Sequence, residues 1–385
     1  MNVYLDNAAT TACYPEAARK VEEALLSSYG NPSSMHGKGV EAEGIVREAA
    51  RTFAGLLKVR EKEIYFTSGG TESNNWALLG TARAMARSGR HIITTAVEHP
   101  AVTEPLKQLA AEGFDLTVLP VDDSGRLDAA QVIGALREDT ILVSVMMVNN
   151  EIGSIMPVDR IGEALHREKP DVIFHVDAVQ AFGKLPVHPE RMHIDLLSVS
   201  GHKIHGPKGV GLLYANEHVK IRPLIYGGGQ QRGMRSGTDN VPGIAGLAAA
   251  AQQICKTMEK NTGQVLLCRS ALQSELADIE NVRILSPEGE GVCVPHILNV
   301  AFPGIRSEVL LHALEDRGIY VSAGSACSSH KRTPSATLTA TGCKKEEIES
   351  AIRFSFSEQT TEEEIRFTGE ALRELVPALR RFVRK

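Results

Sequence analysis

Short apolar runs alternating with longer amphipathic ones constrain this chain more than any other feature. Between about residues 60 and 215 the runs are Ile64-Tyr65-Phe66, His91 to Thr94, Leu116 to Leu119, Ile141 to Val148, Val172 to Val176, Leu196 to Val199 and Val210 to Tyr214. Each is strand-length and rich in β-branched or aromatic residues, and helical spacing fills most of the intervals. The alternation predicts an α/β fold with a mostly parallel, doubly wound sheet. Beyond about residue 250 the pattern becomes a helix through Ala271 to Ile279, strands at Ile297 to Phe302 and Ile319 to Val321, and an amphipathic helix ending at Lys385. That reads as a smaller α+β domain. We expect a large domain at residues 15–255 and a small one made of 1–14 and 256–385.

A chain of 385 residues can bury a sizeable core, and a net charge of -5 offers no basic footprint for nucleic acid. The opening Met1 to Asp6 lacks the cationic and apolar regions of a secretory signal, and no apolar stretch approaches the roughly 20 residues that span a bilayer. A cytoplasmic protein without membrane contact is expected. The six cysteines show no Cys-x-x-Cys pair and are expected to be reduced thiols.

In open α/β sheets ligands collect beyond the carboxyl ends of strands, so the residues there carry the functional reading. Thr67 to Asn75 is a glycine turn between a strand and a helix, where backbone N–H groups and the Thr71 hydroxyl could cradle a phosphate; the same residues also read as a plain N-capped turn. Asp177 ends an apolar strand. A buried carboxylate needs a cationic partner, such as a protonated pyridine nitrogen, although an N-cap aspartate explains it too. Lys203 lies in Ser200-Gly201-His202-Lys203, where it could form a Schiff base or, like most lysines, be solvated. For His202 and His205 as a metal pair, no carboxylate or cysteine nearby completes a ligand set. Val121 to Gly125 lacks the remaining ligands of a calcium loop and reads as a turn. Cys327 stands among glycine, serine and alanine with His330, Lys331 and Arg332 following, which suits an exposed thiolate better than a core cysteine.

Taken in order, these stretches resemble the cysteine desulfurases of the class V aminotransferase group, within the fold-type I pyridoxal phosphate enzymes. The resemblance runs along nearly the whole chain. It includes Tyr4 to Thr11, Tyr29 to Ser34, Glu98-His99, Val148 to Gly153, Arg232 to Thr238 and Ile352 to Ser355.

The resemblance implies that Lys203 carries pyridoxal 5'-phosphate as a Schiff base, Asp177 pairs with the pyridine nitrogen, Gln180 contacts the ring hydroxyl and His99 stacks on the ring. Gly70, Thr71, Ser200 and His202 look like the phosphate site, joined by Thr238 from the partner subunit of a homodimer. Arg353, with Asn150 and Asn7, looks like the clamp on the carboxylate of L-cysteine. Lys203, His99 and Cys327 are then the catalytic set: the Cys327 thiolate takes the substrate sulfur as a persulfide, alanine leaves, and the sulfur passes to an acceptor protein, an iron-sulfur scaffold or a tRNA thiolation enzyme.

Two departures bear on that acceptor. The loop after Cys327 is more basic than in the housekeeping members, and Cys343 follows it; the chain also stops soon after its last helix, where housekeeping members carry a longer tail that contacts the scaffold. Two other readings of the scaffold stand beside this one. One is a selenocysteine lyase or other pyridoxal phosphate lyase or aminotransferase, which the products from L-cysteine would separate. The other is a non-catalytic assembly platform, which would lack the cofactor's absorption band.

Overall fold

The computed structural model describes residues 1–323 and 334–383. Cys327 and the basic stretch His330 to Arg332 lie outside the described residues.

A seven-stranded sheet holds β2 (Ile64–Thr67), β3 (His91–Thr95), β4 (Asp115–Leu119), β5 (Thr140–Met146), β6 (Ile173–Asp177), β7 (Leu196–Ser200) and β8 (Gly211–Ala215), and it is preceded in the chain by the short β1 (Val3–Tyr4). The spatial order is β2-β8-β7-β6-β5-β3-β4. Every residue of β3, β5, β7 and β8 is buried, as expected where helices cover both faces. The amphipathic pattern of the connecting helices supplies that cover: in Val158–Glu168, the residues Val158, Ile161, Ala164 and Leu165 point inward.

The pairings β3–β4, β3–β5, β5–β6 and β6–β7 are parallel, as the alternation predicted. β8 departs from it, running antiparallel to both β7 and β2. A parallel return needs a crossover of about a dozen residues or more. Residues 201–210 hold only a 3-10 turn, Gly201–Lys203, and a loop.

The rest of the chain adds β9 (Arg283–Ile284), β10 (Ile297–Ala301), β11 (Ile319–Tyr320), β12 (Ser322–Ala323) and β13 (Ala351–Ser355). Four form a second sheet, β12-β13-β10-β9, while β1 and β11 pair in parallel. The run read at Ile319 to Val321 supplies β11, and Val321 separates it from β12 in the other sheet. Val3 and Leu5 pack with Leu298, Val300, Phe354 and Leu372, in a cluster separate from the one around the large sheet. The cluster around the large sheet also takes in Ala8, Val294 and Ile297 from the segments outside 15–255.

Candidate active site

Five parallel strands end on one edge, and residues that follow β3, β6 and β7 gather there. Asp177 is the last residue of β6, and the β6–β7 register sets it opposite Ser198, so its carboxylate is buried at the sheet edge. Val179 N–H donates to Asp177 Oδ1 at 2.9 Å and Asn74 Nδ2 donates to Oδ2 at 2.7 Å. Burial pushes the Asp177 carboxyl up from its usual range, while these two bonds and the charges of His99 and Lys203 pull it back. A cation placed against it would complete the balance.

The glycine turn sits beside it. The helix Gly70–Asn75 runs without a break through a π turn, Trp76–Gly80, into Thr81–Met85, so its amino end opens toward the sheet edge. A side chain on Gly70 would place its Cβ 2.7 Å from Val179 Cγ2 and 3.5 Å from Ser200 Cβ, which brings the turn against the ends of β6 and β7. Thr71 is exposed and Ser200 buried. His202 Nδ1 lies 3.3 Å from Thr10 Oγ1. Burial, then the charges of Lys203, Lys208 and Lys184, push His202 down to about 4, so it is neutral at pH 7. The amino end of a helix, two hydroxyls and a neutral imidazole form a donor set for an anion.

Lys203 closes the 3-10 turn after β7. Its Nζ donates to the carbonyls of Ala8 and Ala9, at 2.6 and 2.7 Å. Gln180 Nε2 reaches the same Ala8 oxygen at 2.9 Å. The amino-terminal segment is therefore part of the site wall, held by Thr11 N–H and Oγ1, which both donate to the His202 carbonyl at 2.9 Å. His99 caps the helix Pro100–Ala111, its Nδ1 accepting from Ala101 N–H at 3.1 Å. Nδ1 is thus unprotonated and a neutral ring carries its proton on Nε2. Burial, and then the Lys203 charge, lower the His99 pKa and favour that neutral form against the pull of Asp177.

Arg353 comes from the other sheet. It stands in β13, where Nη2 pairs with Asp6 Oδ1 at 2.9 Å and Nη1 donates to the Asn150 carbonyl at 2.7 Å. Its Nε is buried without a partner among the described residues. Asn150 meets Arg353 through its backbone. Asn7 uses both amide hydrogens on carbonyls, Ser355 at 3.0 Å and Tyr4 at 3.2 Å, and so serves as a strut rather than an open donor. Thr238 is exposed in the loop before the helix Val241–Lys256.

Three participants escaped the sequence reading. Asn74 lay inside the glycine-turn motif, and a buried amide in a first helical turn was the available signal. Asp6 belonged to the amino-terminal motif without a partner being named. Glu98, beside His99, is buried, accepts from Met146 N–H at 2.9 Å and Thr95 Oγ1 at 2.8 Å, and is pushed up to about 8 by burial. It ties the carboxyl ends of β3 and β5 together as a neutral acid at pH 7.

The model of the family described as aminotransferase class-V matches residues 3–367. The chain is 41% identical over 378 residues to a protein of Methanosarcina thermophila named cysteine desulfurase IscS, covering 98% of this chain and 93% of the relative. Among solved structures, one named NifS-like protein superposes with a TM-score of 0.93 at 39% identity, covering 98% of this chain and all of the other. Another, titled SspA in complex with cysteine, gives a TM-score of 0.81 at 32% identity over 93% of this chain and 100% of that chain.

Proposed function

The chain belongs to the aminotransferase class-V family, and from that premise we propose that it is a cysteine desulfurase that converts L-cysteine to L-alanine and leaves the sulfur on Cys327. The observation that carries the proposal is the meeting of Asp177, Lys203, Gln180 and His99 at one sheet edge, with Arg353 brought beside Asn150 from the second sheet.

The residues present fit pyridoxal 5'-phosphate. A buried Asp177 carboxylate lacks only a cation to neutralise it, as a pyridinium nitrogen would. Gly70 lets the turn pack against Val179, whose Cγ2 an added Cβ would meet at 2.7 Å, and Thr71, Ser200 and His202 supply an anion donor set beside it. When bound on Lys203, the cofactor supplies an electron sink that makes the substrate Cα proton removable.

The chain's own residues do the rest. Asn74 and the Val179 N–H hold the Asp177 carboxylate in one orientation, so its negative charge stays aimed at the ring position. Arg353 Nε, unpartnered within the described residues, receives a substrate carboxylate oxygen, and the Asp6 ion pair fixes the guanidinium plane. The Lys203 amine takes the Cα proton as general base. His99, with its proton on Nε2, is placed to relay a proton between the substrate thiol and Cys327. The Cys327 thiolate attacks the substrate sulfur, the carbon–sulfur bond breaks with its electron pair going to Cβ, which takes up a proton to become the methyl group of alanine, and the sulfur remains on Cys327 as a persulfide for a sulfur-acceptor protein. We place Thr238 at the phosphate site of a partner subunit in a homodimer.

None of the described helices is long and apolar enough to cross a membrane. The deciding experiment supplies L-cysteine and a thiol reductant to the protein loaded with pyridoxal phosphate and measures sulfide and alanine together. Equal amounts support the proposal, as does a Cys327→Ala variant that keeps the cofactor's colour and releases no sulfide. Pyruvate and ammonia, or no turnover, overturn it.

A further inference from the structure

Resting on the cofactor reading above, we propose that Lys184 is a positioning residue that fixes which end of the Gln180 side-chain amide faces the ring oxygen of the cofactor. Gln180 is buried just beyond β6, and its two ends have different partners. Nε2 donates to the Ala8 carbonyl at 2.9 Å, and Oε1 accepts from Lys184 Nζ at 3.4 Å. A carbonyl only accepts, and the Lys184 amine reaches Oε1 as a donor, so this pair of partners favours one amide orientation. The second Nε2 hydrogen is then left for an acceptor in the site.

Lys184 and the Ala8 carbonyl hold the amide from opposite ends: turned over, Oε1 would face the Ala8 carbonyl oxygen and Nε2 would face the Lys184 amine. Turned over, Gln180 would set Oε1 against an anionic ring oxygen. The chain enters Lys184 through Gly183, which has φ +75 and packs so closely on Ile254 that an added Cβ would meet its Cγ2 at 2.7 Å. Its amine lines a cavity of about 40 Å³ shared with Asn7, His205, His296 and Glu358. Burial and the Lys203 charge push Lys184 down to about 7, against the attraction of Glu358. His296, buried and held neutral, offers it no charge.

The test is a pH titration of the visible band of the full-length protein loaded with pyridoxal phosphate. A donor on the ring oxygen stabilises its anion and favours the deprotonated chromophore, so losing the donor raises the midpoint. Lys184→Met should raise it by about one pH unit, roughly what one hydrogen bond to a charged group is worth. Gln180→Ala should raise it as well, and adding Lys184→Met to Gln180→Ala should move it no further. Lys184→Arg, which keeps the donor, should restore the wild-type midpoint. An equal shift from Lys184→Met in both backgrounds would mean that its charge acts without Gln180 and overturns the inference; so does an unmoved midpoint. Wild-type protein that takes up no pyridoxal phosphate overturns the cofactor reading, and this inference with it.

Discussion

Asp177 and Arg353 are both buried charges on strands facing the same site, yet their partners lie at different distances along the chain. Asp177 is held by Val179, two residues on, and by Asn74, 103 residues away in the helix after β2. Arg353 is held by Asp6 and Asn150, which are 347 and 203 residues away and on separate segments. The Asp177 floor rests on an unbroken hydrogen-bonded ladder, while the Arg353 wall exists only where the amino-terminal segment, the loop after β5 and β13 meet. The floor should therefore tolerate loss of one support, and the wall should not.

The largest effect is expected at the point both regions serve. Lys203→Ala should lose the cofactor's visible band and lower turnover by on the order of 10⁴-fold or more, read by absorption and alanine release.

Arg353→Ala tests the wall. Removing one member of a buried ion pair costs about 3–5 kcal/mol, so kcat/KM for L-cysteine should fall roughly 10²- to 10³-fold, mostly through KM, with the visible band intact. An unchanged KM would mean that Arg353 is only a strut for Asp6.

Asn74→Ala tests the floor. Losing one hydrogen bond to a charged group, about 1.5–3 kcal/mol, should lower kcat some tenfold and leave KM unchanged. A loss as deep as that of Arg353→Ala would break the comparison, because it would make the floor as fragile as the wall.

The smallest effect concerns the seam behind the wall, where Tyr14 Oη donates to Glu358 and His205 Nε2 lies 3.4 Å from it. Burial alone would raise the Glu358 carboxyl, but the bonds from His205 and Tyr14 outweigh it and hold it down to about 2. A depressed carboxylate contributes stability above its ordinary value of 4.5, and that contribution is lost as pH falls through about 2. Glu358→Gln should therefore be less stable than wild type in urea at pH 6, with the gap shrinking between pH 4.5 and 2. A gap of constant size would show that the carboxylate charge plays no part.

The large sheet could be read from the sequence because most of its strands are buried on both faces. Such strands are continuous apolar runs, and glycine turns and polar residues at their ends stand out against them. Gly70, Asp177, Ser200 and Lys203 were visible for that reason. β13 was not read as a strand, because Arg353 interrupts its apolar residues and only pairing with β10 and β12 makes Ala351–Ser355 a ladder. The antiparallel β8 was hidden too, since a run of apolar residues carries no direction.

The sequence by itself determined the order of strands and turns, and with it the chemical groups at the carboxyl edge of the large sheet, because hydrophobic period and turn chemistry act over a few neighbouring residues. Only the tertiary structure decided which polar partners those groups take. Asp6 on Arg353, Ala8 beneath Lys203 and Gln180, and Lys184 behind Gln180 are matches between segments whose approach is set by packing, and a buried charge or amide is satisfied by whatever that packing brings within about 3 Å.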